Sequence, residues 1–504
     1  MAMLAHGFGL AAQDSPRLIF SNVVWGWLVR SMPRYLNTLG YAWATLAVLF
    51  GVCVVIFRAV DKVGHGVVIA CLVLVAVTVR PILFPQFTIN SGLLCVCAIA
   101  AWRCYAHNVA ARKRRAWVDL TLGCLLAFLS YIVRSQEFLL VAAVGAPLIP
   151  WRALVGRRPG QVALTVLAVA VSVASFADRR SYASNEWAAF QVHNVARAPF
   201  TDFGAGGRLK QHPEIFERHG FSSNDIDLVS YWFFVDAAVV EPLRLEQMLR
   251  ELGPRTEQLG DGQHALSGLR ILFEPVLLPL FAMALLLVLL NCSARLLAVW
   301  TLCLGAAIAM GWLGRPGVAR VYVPLAALLV VAPWLLSTPV AGWRRRASIA
   351  VLAVGTAVNA AQVFSESRAT HVAAIKLHQS MVGLPPQVVV VWGDSFPYPL
   401  AYPVVGRSFA DGFRFYGLGV FTRAPVSTAF ALERQNDGLV RRLQSTGGLN
   451  IIADLHWLKI YCEEHLGVKL VTLETTPFSG FTLQRVRCAA PELAPYAANT
   501  TDKP

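Results

Sequence analysis

The chain has 504 residues, of which 56% are hydrophobic and only 14% charged, and its formal net charge is +15. Soluble domains carry about 25% charged residues, so this composition excludes a wholly soluble protein and points to a polytopic membrane protein with soluble parts. Nor does the positive charge point to a nucleic-acid partner: the arginines fall in short clusters between apolar segments, the pattern of topology signals.

The first dozen residues are apolar but lack the basic start and Ala-x-Ala exit of a cleavable signal. They are also shorter than the roughly 20 residues a spanning helix needs. Either the chain begins inside its first membrane helix or the natural start lies upstream. The stretch His6-Gly7-Phe8-Gly9-Leu10-Ala11-Ala12-Gln13-Asp14-Ser15-Pro16-Arg17 then places a carboxylate, a proline turn and an arginine after that apolar run. Asp14 reads either as a turn or cap residue before Ser-Pro or as a functional carboxylate just outside a membrane. Residues 13–40 form a first loop, and its part 18–40 mixes Trp, Arg and apolar residues as a helix lying in the interface does.

Spanning segments are expected at 41–59, 65–83, 88–106, 117–133, 135–151 and 160–176, then at 269–290, 294–312, 319–336 and 347–364. The expected fold is an all-α polytopic membrane domain of about 10–11 transmembrane helices over residues 1–364. A polar loop at 177–268 interrupts it, and a C-terminal extracytoplasmic α/β domain follows at 365–504. In that tail, strands are expected at 387–393 and 450–454 and as a pair at 470–473 and 481–486, with helices near 427–444 and 455–466.

Basic residues set the orientation. With Asp14 outside, the inner loops hold Arg58, Lys62, Arg112-Lys113-Arg114-Arg115, Arg152, Arg157, Arg158, Arg295 and Arg344-Arg345-Arg346. The short outer loops hold only Arg80, Arg134, Arg315 and Arg320. This bias satisfies the positive-inside rule. It also favours a hairpin broken near Arg134 over one long helix at 117–151, which would invert everything downstream. The loop 177–268 and the tail then share Asp14's side, outside the membrane. Most of the cysteines lie in or beside apolar spans as packing residues. Cys462 and Cys488 stand apart in the tail, either as a disulfide in an oxidising compartment or as two free thiols.

Polar residues recur where the spans meet the outer face: Arg80, Gln86 before Phe87-Thr88, Arg134 and Glu137, and Arg315, Arg320 and Tyr322. Charges at such depth pair or face a polar cavity. Arg134 and Glu137 read equally as an ion pair fixing a turn, and Arg315 and Arg320 as headgroup anchors. With Asp14 and Arg17 they would instead make one cavity joining an acid–base group to phosphate-binding guanidiniums.

An outer first loop with an acidic residue, an interfacial helix, many spans and a C-terminal extracytoplasmic domain resemble the GT-C glycosyltransferase superfamily. The Gln86-Phe87-Thr88 and Arg315…Arg320-Val321-Tyr322-Val323-Pro324 segments look like stretches of bacterial GtrII-like enzymes. The resemblance implies a polyprenyl-phosphate-linked sugar donor and a glycan, lipid-linked or protein acceptor within membrane lipid. It implies Asp14 as the general base for an inverting transfer, with arginines holding the departing phosphate. Many members pair two acidic residues in this loop, whereas Asp14 has no acidic neighbour.

In the outer loop, Asp225 and Asp227 follow Ser222 and read as a helix start rather than metal ligands. No His/Cys/Asp cluster has ligand spacing, so no metal or cofactor is expected. In the tail, Gly393-Asp394-Ser395 after an apolar run looks like the nucleophile segment of SGNH-type esterases, with Asp454 and His456 as the nearby relay pair. Two other functions therefore stand beside the glycosyltransferase: a lipid-linked glycan transporter or flippase, and a membrane-anchored SGNH-like hydrolase using Ser395.

Overall fold

The computed structural model describes residues 1–32, 35, 38–113, 115–253, 262–313, 317–336, 342–382, 387–405 and 413–489. Two short helices open the chain, α1 (Ala2–His6) and α2 (Val23–Ser31). The first apolar series is α3 (Gly40–Lys62), α4 (Val67–Leu83), α5 (Phe87–Ala110), α6 (Ala116–Val133), α7 (Ser135–Val144), α8 (Trp151–Val155) and α9 (Arg158–Ser181). Helices α10 (Asn185–Phe203), α11 (Ala205–Leu209), α12 (Pro213–Arg218), α13 (Ser223–Ser230), α14 (Ala237–Val240) and α15 (Pro242–Leu252) fill the polar loop. The second apolar series is α16 (Gly262–Arg270), α17 (Leu278–Leu290), α18 (Ala294–Trp312), α19 (Ala319–Leu336) and α20 (Trp343–Met381).

Among the described residues, seven helices are long and apolar enough to cross a membrane: α3, α5, α6, α9, α18, α19 and α20. The bent pair Ala265–Phe273 and Leu278–Leu290 makes an eighth if it is one span, while α4 and α7 are apolar but shorter. This is the make-up of a multi-pass membrane protein. The span expected at 135–151 ends at Val144 instead. Pro147 and Pro150 deny the helix its backbone donors and leave a 3-10 turn at Ala146–Leu148 followed by the short α8.

Polar contacts fix how the helices alternate. Buried Asp119, at the start of α6, takes Arg58 at 2.8 Å and Lys62 at 2.7 Å from the end of α3. It also accepts from Asn108 near the end of α5. At the opposite end, the Ser91 hydroxyl of α5 donates to the Ser130 carbonyl of α6 at 2.9 Å, and the Ser130 hydroxyl returns a bond to the Ser91 carbonyl at 2.7 Å. Hence α3 and α5 run one way and α6 the other. The loop carrying Asp14 lies at the Ser91 end, where the backbone N–H of Asn22 donates to the Ile132 carbonyl at 2.9 Å.

The tail holds a five-stranded sheet of order β2-β1-β3-β5-β4. Its strands are β1 (Gln387–Trp392), β2 (Phe413–Leu418), β3 (Leu449–Ile452), β4 (Lys469–Phe478) and β5 (Phe481–Ala489). Strand β1 pairs in parallel with β2 and β3, while β5 pairs antiparallel with β3 and β4. Helices α21 (Tyr398–Ala401), α22 (Thr428–Arg434), α23 (Leu439–Gln444) and α24 (His456–Leu466) complete it. Alternation along β1 feeds two cores. Val390 and Trp392 pack with Phe233, Leu245 and Met248 of the polar loop. Val389 and Val391 pack with Leu377 and Met381 at the far end of α20. Loop 177–268 and the tail thus share one core rather than forming two separate appendages. Helix α20 has 39 residues, or about 58 Å at 1.5 Å per residue, so it continues well past a membrane thickness and the boundary at 364/365 falls within it.

Candidate active site

The segment 7–23 is held in place by contacts along its whole length. Gly7 adopts φ +69°, and a Cβ there would stand 2.6 Å from the Asp14 backbone nitrogen, so the close return of the chain requires glycine. The Ser15 N–H donates to the Leu4 carbonyl at 2.9 Å. Arg17 donates to the carbonyl and hydroxyl of Ser181 at 2.9 and 3.0 Å and lies over the Trp187 ring. The Ile19 N–H reaches the Tyr182 hydroxyl at 3.0 Å, and the Val23 N–H reaches Asp178 at 2.7 Å. These bonds seat the loop across the ends of α6 and α9. Helix α2 lies against it so closely that a Cβ at Gly26 would stand 1.8 Å from the Pro16 carbonyl oxygen.

Asp14 is solvent-facing and forms an ion pair with Arg30 of α2, each side chain about half exposed. Arg134, at the α6–α7 junction, stands 5.9 Å over the Phe20 ring of the same loop and 5.2 Å over Phe87. The structure thus brings Arg134 onto the loop that carries Asp14. Glu137, one turn further on, is buried, and its Oε1 has no hydrogen-bond partner among the described residues. The hydroxyl of Thr88 and the side-chain carbonyl of Asn90, both buried in the first turn of α5, are unpartnered too. Buried polar atoms are nearly always satisfied, so this end of α5 and α7 offers donors and acceptors to something further.

The other predicted site residues are dispersed. Gln86 is the N-cap of α5, its side-chain oxygen accepting from the N–H groups of Thr88 and Ile89 at 2.7 and 3.2 Å. Arg80 is buried, pairs with Glu366 of α20 and lies 5.3 Å from the Phe84 ring centre. Tyr322 is fully buried in α19 with its ring against Gly317, and Arg320, two residues earlier, is exposed. Arg315 lies outside the described residues. Sequence reasoning missed Glu366 as the partner of Arg80. The signal was its place in Ser365-Glu366-Ser367-Arg368, directly after an apolar run.

In the tail, Cys462 of α24 and Cys488 of β5 form a disulfide with Cα atoms 5.8 Å apart. Ser395 donates its hydroxyl to the Trp392 carbonyl at 2.8 Å. The Asp454 carboxylate accepts from the His456 backbone N–H at 3.0 Å, and the His456 ring packs on Trp457. Asp225 makes a capping box with Ser222 at the start of α13, and its other oxygen meets His465 Nε2 at 2.7 Å. Asp225, Glu464 and His465 bring their ligating atoms within 4.8 Å of one another across a long sequence separation. Both Asp225 oxygens are already engaged there, and Glu464 accepts from the Ser222 hydroxyl at 2.7 Å. Asp227 pairs with Lys210.

A cavity of about 320 Å³ opens at the carboxyl ends of β1 and β2. Three distant chain segments line it: Leu10 from the opening loop, Trp232 from the polar loop, and Asp394, Tyr398, Gly419 and Phe421 from the tail. Trp232 takes φ +72°, an unusual conformation for so large a residue, with the Arg197 guanidinium 4.4 Å from its ring centre. Burial first, then Tyr402 and Asp394, hold the Tyr398 phenol neutral well above its ordinary range. Phe421 packs edge-on to Phe20 at 6.1 Å, so the cavity wall touches the ring beneath Arg134. No protein-family model, curated protein or solved structure matches the chain.

Proposed function

We propose that the chain is a membrane glycosyltransferase that moves a monosaccharide from a polyprenyl-phosphate donor to a glycan or protein acceptor, at the periplasmic face of a bacterial inner membrane. Asp14 is the general base. It takes the proton of an acceptor hydroxyl as that oxygen attacks the anomeric carbon. The bond from that carbon to the phosphate oxygen breaks with inversion, and polyprenyl phosphate leaves. The negative charge that develops on the leaving phosphate is met by guanidinium, Arg134 foremost.

One observation carries the reading. Arg134 stands over Phe20 in the same fixed loop that presents Asp14 to solvent. A carboxylate able to accept a proton and a guanidinium able to receive a phosphate are thereby mounted on one scaffold at the end of an apolar helix bundle. The unpartnered Glu137, Asn90 and Thr88 atoms at that end supply further polar groups for a bound sugar.

The test compares sugar transfer from polyprenyl-phosphate donors in membranes containing wild-type, Asp14→Asn or Ser395→Ala protein. Loss of transfer in Asp14→Asn with activity kept in Ser395→Ala is expected. The opposite pattern would overturn the assignment, and glycan movement across the membrane with no transfer by any of the three would replace it with transport.

A further inference from the structure

None of the residues lining the cavity at the ends of β1 and β2 was given a role in the transfer step above, yet its construction is specific. The opening loop and the polar loop each add a wall residue, Leu10 and Trp232, to a cavity otherwise lined by the tail. It lies where parallel strands of α/β sheets present their ligands, outside the carboxyl ends. Two glycines there leave space open: a Cβ added at Gly393 or Gly419 would meet nothing within 4 Å. At about 320 Å³ it falls at the small end of the roughly 300–1,000 Å³ range of ligand pockets.

The chemistry of the lining selects the ligand. Trp232, Tyr398 and Phe421 supply aromatic surface and Leu10 an apolar wall. Asp394 is the one carboxylate among the described lining residues, which include no lysine or arginine. A nucleotide or phosphate would meet that carboxylate with like charge and no cation among the described lining residues, and Arg197 behind Trp232 is engaged with that ring. A neutral polyol with one apolar face suits both features. Its C–H face lies on an aromatic ring, and adjacent hydroxyls donate to the carboxylate.

We propose that this cavity binds a neutral saccharide and, given the transferase reading above, that it is the acceptor subsite. Saccharide binding itself stands on the cavity alone; only the acceptor role rests on that reading. The Phe421–Phe20 contact supplies the physical link, because the ring forming the cavity wall packs on the loop that holds Asp14.

The experiment titrates maltotriose and cellotriose, two neutral hexose trisaccharides, into the purified full chain in nanodiscs, with saturation-transfer NMR as the readout. At least one of them is expected to bind at millimolar concentrations. Gly419→Leu fills the open space at a position whose φ is not in the positive range, and Asp394→Ala removes the acceptor. Each is expected to weaken binding about tenfold or more, equivalent to 1.4 kcal/mol, with the thermal unfolding transition of Asp394→Ala kept near that of the wild type. No saturation transfer from either sugar, or equal binding to wild type, Gly419→Leu and Asp394→Ala, would overturn the proposal. The two readings fail separately. Normal transfer by Asp14→Asn with binding blocked in Gly419→Leu removes the base assignment but leaves the saccharide site. Abolished transfer in Asp14→Asn with undiminished binding in both cavity variants does the reverse.

Discussion

Arg80 of α4 and Glu366 of α20 meet as an ion pair that fastens the middle of the longest helix to the bundle, with Arg80 only 10% exposed and Glu366 40%. Removing the carboxylate leaves a buried guanidinium without its counter-charge. Glu366→Ala is therefore expected to cost roughly 2 kcal/mol, less than the 3–5 of a fully buried pair because water reaches Glu366. Thermal unfolding in detergent reads this, and the joint change Arg80→Met with Glu366→Leu should restore most of it. An unchanged transition in Glu366→Ala would show that the pair does not support the fold.

The Asp14–Arg30 pair makes a kinetic prediction. If Asp14 is the base, Asp14→Asn lowers kcat/KM for sugar transfer by about 10²–10⁴. Arg30→Gln, which frees the carboxylate without removing it, should cost only about tenfold. Steady-state transfer rates with a synthetic short-chain donor distinguish the two. Equal losses would mean that Arg30 contacts substrate itself.

The Cys462–Cys488 bond closes a loop with a sequence separation of 26, for which chain entropy gives about 3.5 kcal/mol. Joint replacement of both cysteines by serine should lower the unfolding temperature of the chain, and adding reductant to the wild type should lower it by a similar amount. If the double variant is destabilised but reductant leaves the wild type unchanged, the bond is not what stabilises the tail.

His193 of α10 is buried edge-on to Phe234. Burial, then Arg423 and Arg197, lower its pKa to about 3, from an ordinary value of 6.5. Between those two values the unfolded chain binds the proton and the folded chain does not. Stability therefore falls as pH drops from about 6.5 towards 3, by at most about 1.4 kcal/mol per pH unit from this group. His193→Leu should flatten that part of a stability-versus-pH curve. A curve of unchanged slope would mean that other groups set the acid limit.

The helical series was legible because apolar runs of spanning length leave little choice of structure, and β1, β3 and the closing hairpin were legible from their β-branched residues. The end of α7 was misread, since apolar composition was allowed to outweigh Pro147 and Pro150. Strand β2 went unseen: Phe413-Arg-Phe-Tyr-Gly-Leu418 has Gly417 within it, and its place depends on pairing with β1. The continuation of α20 was hidden by Glu366, Arg368 and Lys376, which look like a domain boundary but sit readily on an exposed helix. At the candidate site, Asp14 and Arg134 could be nominated from sequence. The packing of Arg134 on Phe20 of the Asp14 loop, and the joining of Leu10 to Trp232 and Phe421, bring together segments more than a hundred residues apart, which no local pattern encodes.

The docking of the opening loop on the tail has a consequence for biosynthesis. The Gly9 and Leu10 carbonyls accept from the Phe415 and Thr428 N–H groups at 2.9 Å, and the Ala12 N–H donates to the Val426 carbonyl at 2.9 Å. At ribosomal speeds of about 5–20 residues per second, these partners emerge about 20–80 s after the segment they hold. Throughout that interval the Asp14 loop lacks these anchors. A nascent or truncated chain can thus insert its helices before the Asp14 loop has these anchors, so under the transferase proposal activity would wait on the last domain.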